Sequence, residues 1–212
     1  MLRRNVQLEI AETRTHAGSI SPLHITEFST LQNNPQHTRV LVNDWLGTRL
    51  AEMIGLPETM IDRVRNLPSF AGVLAFDKWT CNADGRQVAF WKRPRQRKFN
   101  ASYIDQGYCF NAGEWCFPDA PLRGVFGRND VYAGITGWDS FEPWPSRIES
   151  FPESSLRPLV DQIPPEWYDS SVDELHRLLA QLLERRSRVR ELIISFKNSS
   201  RNPFPNWREN AN

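Results

Sequence analysis

The chain has 212 residues, with 26 Lys and Arg against 25 Asp and Glu and a formal net charge of +1. That length suits one domain or two small ones, and the near-neutral balance gives no ground for a whole-surface nucleic-acid binder. No run approaches the roughly 18 apolar residues of a membrane-spanning helix, and the basic start MLRRNVQLEIAETRTH lacks the apolar stretch of a secretory signal.

Cys81, Cys109 and Cys116 make an odd number, which argues against a disulfide framework. No C-x-x-C pair exists and no His sits at ligand spacing from a Cys, so zinc is not indicated. These features predict a reduced, cytoplasmic protein that does not enter a membrane.

Residues 1–36 carry scattered apolar positions among Ser, Thr, Asn and Pro, with room for a short strand around Val6–Ile10. From His37 a helical stripe begins, with Val42, Trp45, Leu46 and Leu50 among its apolar members, and it spans about residues 38–54. Gly55 followed by Pro57 stops it. A second short helix is expected over Glu58–Asn66. Phe70–Trp79 is a continuous apolar run ending in charge, and its length favours a buried helix over a strand.

After TCNADGRQ, rich in turn residues, Gln87–Lys92 and Phe99–Asp105 read as two strands of a hairpin joined by the polar connector RPRQRK. Residues 106–165 have little period and hold short helices at best. Their aromatics, Trp115, Phe117, Phe126, Tyr132, Trp138, Phe141 and Trp144, are expected to pack that lobe rather than to face a sugar. A long amphipathic helix follows, Ser171 to about Lys197, opened by the capping box Ser171-Val-Asp-Glu174. Residues 198–212 read as a flexible tail.

The chemistry-bearing residues gather around the hairpin. An antiparallel pair brings its outer ends together. Asp84 and Gln87, at the start of one strand, should therefore approach Asp105 at the end of the other. Two carboxylates and an amide form a hard-oxygen ligand set, which suits Mg²⁺ with a phosphate better than zinc. The bland alternative is a turn aspartate and a strand-terminating aspartate. The five cations of Lys92–Lys98 suit a solvated hairpin tip that keeps strand edges apart, and without interleaved aromatics they make a poor nucleic-acid surface.

Three segments carry a family resemblance: LQNNPQHTRVLVNDWLGTRLAEMIGLP, VLAFDKWTCNADGRQVAFWKR and SYIDQGYCFNAGEWCFPDAPLRG. Together with VYAGITGWDSFEPWPSRIE, they resemble the HipA-like kinase family over about residues 31–149. The resemblance implies an α+β, protein-kinase-like fold that is mainly the helical C-lobe with its catalytic β-hairpin. Residues 1–56 would be a reduced N-lobe with one helix, residues 57–197 the C-lobe. It implies transfer of the ATP γ-phosphoryl group to a Ser- or Thr-type hydroxyl, with Asp84 as the catalytic-loop aspartate. Asp105 would be the metal-binding aspartate for Mg²⁺. Gln87 would stand in for the amide metal ligand, at a shorter spacing than the family's, where Ala89 stands.

The departures concern the phosphate cradle. The first lysine in the chain is Lys78, so no N-lobe lysine can hold ATP, and Asp44 on the preceding helix lacks its usual partner. Gly18 is the only glycine before Gly47, which excludes a glycine-rich loop. Two readings from different classes follow. One is an atypical kinase that borrows phosphate contacts, from Arg86 or Lys78. The other is a non-catalytic pseudokinase remnant acting as a binding module with an unknown protein partner. Truncation of the N-lobe would also leave apolar helix faces bare and favour self-association.

Overall fold

Twelve consecutive residues, Ser69–Thr80, form the helix around which the chain is arranged, here called α1. A computed structural model describes residues 7–9, 46, 47, 50, 53, 64, 65, 67–168 and 171–208. Every residue of α1 is buried, as expected of a helix that is apolar on all sides. Apart from Ser69, its polar members lie at the C-terminal end, where the Trp79 and Lys78 side chains connect to other segments. Thr80 Oγ1 donates to the Phe76 carbonyl at 3.0 Å. The Trp79 indole N–H reaches the carbonyl of Leu182 at 2.9 Å. Lys78 Nζ donates to the carbonyls of Pro121 at 2.8 Å and Arg123 at 2.6 Å.

On one side of α1 lies an antiparallel sheet in the order β1-β2-β3: Gln7–Glu9, Gln87–Lys92 and Asn100–Ile104. The β2–β3 hairpin pairs Gln87 with Ile104 and Trp91 with Asn100. Alternation then turns Val88 and Ala101, both buried, toward the core, together with Tyr103. The Tyr103 ring meets Phe70 of α1 edge-on, with centroids 5.4 Å apart. On the other face Trp91 Nε1 donates to Ser102 Oγ at 2.9 Å and helps fix the register. Residues 93–98 of the tip are exposed, as the solvated-tip reading requires.

Residues 106–168 hold only short helical pieces, the longest regular ones being α2 (Trp144–Glu149) and α3 (Arg157–Val160). The aromatics of this stretch serve as core. Trp115, Phe126, Tyr132 and Phe141 are buried, and Phe117, Trp138 and Trp144 pack against them. The expected long C-terminal helix is divided into α4 (Val172–Arg185) and α5 (Val189–Lys197), with a 3₁₀ turn at Arg186–Arg188 between them. At the break Ser187 Oγ bonds back to the Glu184 carbonyl at 2.9 Å, a contact that bends helices. Leu182 has already lent its carbonyl to Trp79. Ser171 is the N-cap of α4, but its side chain makes no capping hydrogen bond.

Three expectations need correction. The helix placed over Glu58–Asn66 does not extend to Val64, which instead forms a parallel bridge with Phe99. The tail is not frayed as far as it is described: Phe204 is buried against Tyr132, Phe141 and Phe196, and Trp207 stacks on Phe204. Arg201 also donates to the carbonyls of Phe126 and Gly127 at 3.1 and 3.0 Å. Finally, of the apolar faces expected to lie bare, that of α5 is covered, and in the 38–54 stretch two of the described residues are buried while Met53 is exposed. Leu46 and Leu50, both helical, are fully buried, and so is the Val189–Leu192–Ile193–Phe196 face of α5.

The fold is thus mixed α+β, mostly helical, with a small antiparallel sheet. Among the described residues no helix is long and apolar enough to cross a membrane. Asp44 and residues 209–212 lie outside the described residues.

Candidate functional site

The site begins where α1 ends. Cys81 takes the left-handed conformation (φ 52°, ψ 50°) and closes the helix with its N–H on the Asp77 carbonyl. The chain then turns through Asn82, which is buried and bonded in two directions. Its amide donates to Asp77 Oδ1 at 3.1 Å, and its Oδ1 accepts the Asp84 N–H at 3.2 Å. That local ring presents Asp84 at the surface, where its own Oδ1 accepts the Gly85 N–H at 2.7 Å.

Arg86 is the hub beneath this loop. Its guanidinium grips the Asp77 carboxylate with two groups: Nε reaches Oδ2 at 2.9 Å and Nη2 meets Oδ1. Both side chains are sealed from water, at 2% and 0% exposure, so neither charge can be solvated if the other is lost. Burial works against the Arg86 cation, but the Asp77 charge and its hydrogen bonds outweigh it and hold the guanidinium above its ordinary pKa. The remaining nitrogen, Nη1, spans to the far end of the hairpin, donating to the Ile104 carbonyl at 2.8 Å and Gln106 Oε1 at 3.1 Å. One arginine therefore ties the end of α1 to the segment that carries Asp105.

Asp105 follows β3 with a left-handed φ of 62°. An aspartate tolerates that conformation better than most residues. Its Oδ2 accepts the Gln87 amide N–H at 2.9 Å. Two of the three residues singled out from the sequence thus meet across the open end of the hairpin. The third, Asp84, sits on the loop two residues before Arg86 and is joined to the Asp105 segment through that arginine.

Residues 121–126 form a strap across the loop. Gly124 N–H donates to the Asp84 carbonyl at 3.0 Å, and Arg86 N–H to the Val125 carbonyl at 3.0 Å. Gly124 has φ +62°, and a Cβ there would stand 2.8 Å from Asp77 Cβ. Only glycine suits both the conformation and the approach. On another side Gly47 packs so closely that a Cβ would lie 3.1 Å from Gln106 Cβ and 3.2 Å from Cys109 Sγ. Beside the strap, the chain keeps a positive φ through Phe110, Asn111 and Ala112 (58°, 57°, 57°), the first two in the left-handed helical region. Asn111 N–H bonds the Cys81 carbonyl at 3.0 Å and Ala83 N–H bonds the Tyr108 carbonyl at 2.9 Å. Such runs are costly and persist where surrounding contacts over-determine them.

The two surrogate phosphate contacts considered from the sequence are not at the surface. Arg86 is spent on Asp77, and Lys78 is 4% exposed beneath the strap. Burial pushes the Lys78 ammonium down to about 8, against the opposing pull of Asp77. Sequence reasoning missed Asp77, Arg86 and Asn82 as a bracing set. The available signal was an acid at the end of an apolar run with an arginine nine residues on, which spacing alone does not pair. No protein-family model, no curated protein and no solved structure matches the chain.

Proposed function

We propose that this protein is a kinase of the HipA-like kind, transferring the γ-phosphoryl group of ATP to a hydroxyl of Ser or Thr type. The observation that carries this reading is the Gln87–Asp105 contact at 2.9 Å, braced by Arg86 against the loop that presents Asp84. A carboxylate on a loop beside a second carboxylate at a strand end is the minimum that in-line phosphoryl transfer asks of a protein, since positioning and charge neutralisation do most of the work. In this reading Asp84 accepts the proton of the attacking hydroxyl as its oxygen bonds to the γ-phosphorus. The bond to the leaving ADP oxygen breaks.

Asp105 offers the hard oxygens that Mg²⁺ takes, and a metal shared with a nucleotide needs only one or two protein carboxylates. Among the described residues no group of three or more His, Cys, Asp and Glu side chains forms a metal cage, so Asp105 and the nucleotide would have to share the ion. Gln87, whose amide nitrogen points at Asp105, fits a role in orienting that carboxylate as well as the metal-ligand role suggested by its position in sequence. ATP with Mg²⁺ would supply the transferable phosphoryl group. The setting that goes with this reading is the cytoplasm, where nucleotide is abundant and the three cysteines, none in a disulfide, stay reduced.

A second reading, a pseudokinase that serves as a binding module, is favoured by one observation. Arg86 and Lys78 are committed to internal contacts and unavailable to a phosphate. Calorimetric titration with ATP and Mg²⁺, beside an Asp105→Asn variant, separates the two. Metal-dependent binding that the variant loses is the expected result. No binding at millimolar ATP would overturn the kinase reading and leave the module.

A further inference from the structure

The strap places one more cation at the site. Arg123 is fixed along its main chain at three points. Its carbonyl accepts from Lys78 Nζ at 2.6 Å, its N–H bonds the Ala120 carbonyl at 3.1 Å, and the next N–H, that of Gly124, bonds the Asp84 carbonyl at 3.0 Å. The side chain is exposed, and Nη1 donates to Asn111 Oδ1 at 2.6 Å. Asn111 is itself tied to the carbonyl of Cys81, at the start of the Asp84 loop. Through Gly124 on one side and Asn111 on the other, Arg123 is thus linked to the loop that presents Asp84.

Several other arginines are ion-paired, while Arg201, like Arg123, rests on an amide, Asn129 Oδ1 at 2.7 Å. Arg86 is paired with Asp77, Arg128 with Asp130, Arg185 and Arg188 with Asp119, and Arg190 with Glu142 and Glu149. Arg123 rests on a neutral amide. An amide oxygen fixes the direction of a guanidinium and leaves its charge uncompensated, with further N–H donors in the planar fork available to an anion. A guanidinium aimed by a neutral amide, on a strap whose next residue bonds the Asp84 carbonyl, is suited to an oxyanion brought to that loop.

We propose that Arg123 is a phosphate-binding residue of the Asp84 site, its guanidinium receiving the transferable γ-phosphate of a nucleoside triphosphate, with Asn111 as its positioning residue. The inference rests on the kinase reading above and supplies a phosphate-facing cation in a chain whose first lysine is Lys78.

The test is titration of the full chain with MgATP and, separately, MgADP. Wild type is compared with Arg123→Gln, Arg123→Lys and a remote control, Arg128→Gln. Wild type should favour MgATP over MgADP. Arg123→Gln should lose about tenfold in affinity for MgATP with little change for MgADP, the size expected for charge-assisted phosphate contacts. Arg123→Lys should keep part of the preference, and Arg128→Gln all of it. Thermal unfolding of each variant checks that the fold is intact, which the exposed position of Arg123 favours. Unchanged binding by Arg123→Gln, or equal losses for both nucleotides, would overturn the assignment while leaving the kinase reading in place. Failure of wild type to bind either nucleotide would overturn both.

Discussion

At the scale of single residues the Asp77–Arg86 pair matters most. Two charges withdrawn from water are tolerable only together, with every remaining donor and acceptor satisfied. Here Asn82, Ile104 and Gln106 complete the shell. Arg86→Met leaves a buried carboxylate without its counter-charge and should cost about 3–5 kcal/mol, read from urea unfolding. Replacing both partners, as Asp77→Leu with Arg86→Met, should recover much of that stability. Asp105 would then lose its brace, so the double variant should be folded and impaired in MgATP binding. A double variant as unstable as the single one would show that the pair is not the seat of the loss.

Lys78 gives a pH dependence with a defined sign. Its folded pKa is lowered, by burial first, from 10.5 to about 8. Between those two values the unfolded chain binds more protons than the native one, so stability contributed through this group rises with pH. Below about pH 8 the cost of keeping the ammonium buried is present in full. It is relieved as pH climbs from about 8 toward 10.5, by up to about 3 kcal/mol for a shift of this size. Cys81 and Tyr132, raised mainly by burial, act in the opposite sense at high pH. The clean measurement is therefore the difference in unfolding free energy between wild type and Lys78→Met at pH 7, 8.5 and 10. Wild type should gain on the variant along that series; a flat difference would mean that the ammonium is not held as described.

At the scale of elements, α1 organises the site because its last turn is polar while the rest is apolar. Asp77, Lys78 and Trp79 reach the Asp84 loop, the strap and α4 in three successive positions. The tail is the second such element. Phe204 fills a ring of aromatics formed by Tyr132, Phe141, Phe196 and Trp207. Phe204→Ala should destabilise the protein by about 3–5 kcal/mol, as emptying a packed aromatic site does. Unfolding by urea measures it, and a loss below about 1 kcal/mol would return the tail to the status of a loose end. The tail's composition, NSSRNPFPNWRENAN, hid this, because Asn, Ser and Pro read as loop and two isolated aromatics have no period.

At the scale of the whole molecule the core is continuous from Leu46 and Leu50, through α1 and the hairpin, to α5 and Phe204. The helical face at Leu46 and the apolar face of α5 are buried. Among the described residues, the exposed large apolar side chains are Met53, Ile104, Leu122 and Val172, scattered along the chain.

The amino-acid sequence by itself determined what depends on neighbours in the chain. The length and apolarity of Phe70–Trp79 specify a buried helix. The alternation in Gln87–Lys92 and Phe99–Asp105 specifies a hairpin. Antiparallel pairing then brings Gln87 to Asp105 with no further information. What only the tertiary structure decided depends on partners far apart along the chain. Lys78 lies under Arg123, Trp79 meets α4 at Leu182, and Phe204 closes the aromatic cluster. Whether an arginine becomes an internal brace, as Arg86 does, or keeps its charge at the surface, as Arg123 does, is set by which acceptors the fold delivers to it. Local periodicity does not encode that delivery, because burial and hydrogen-bond geometry arise only when distant segments pack.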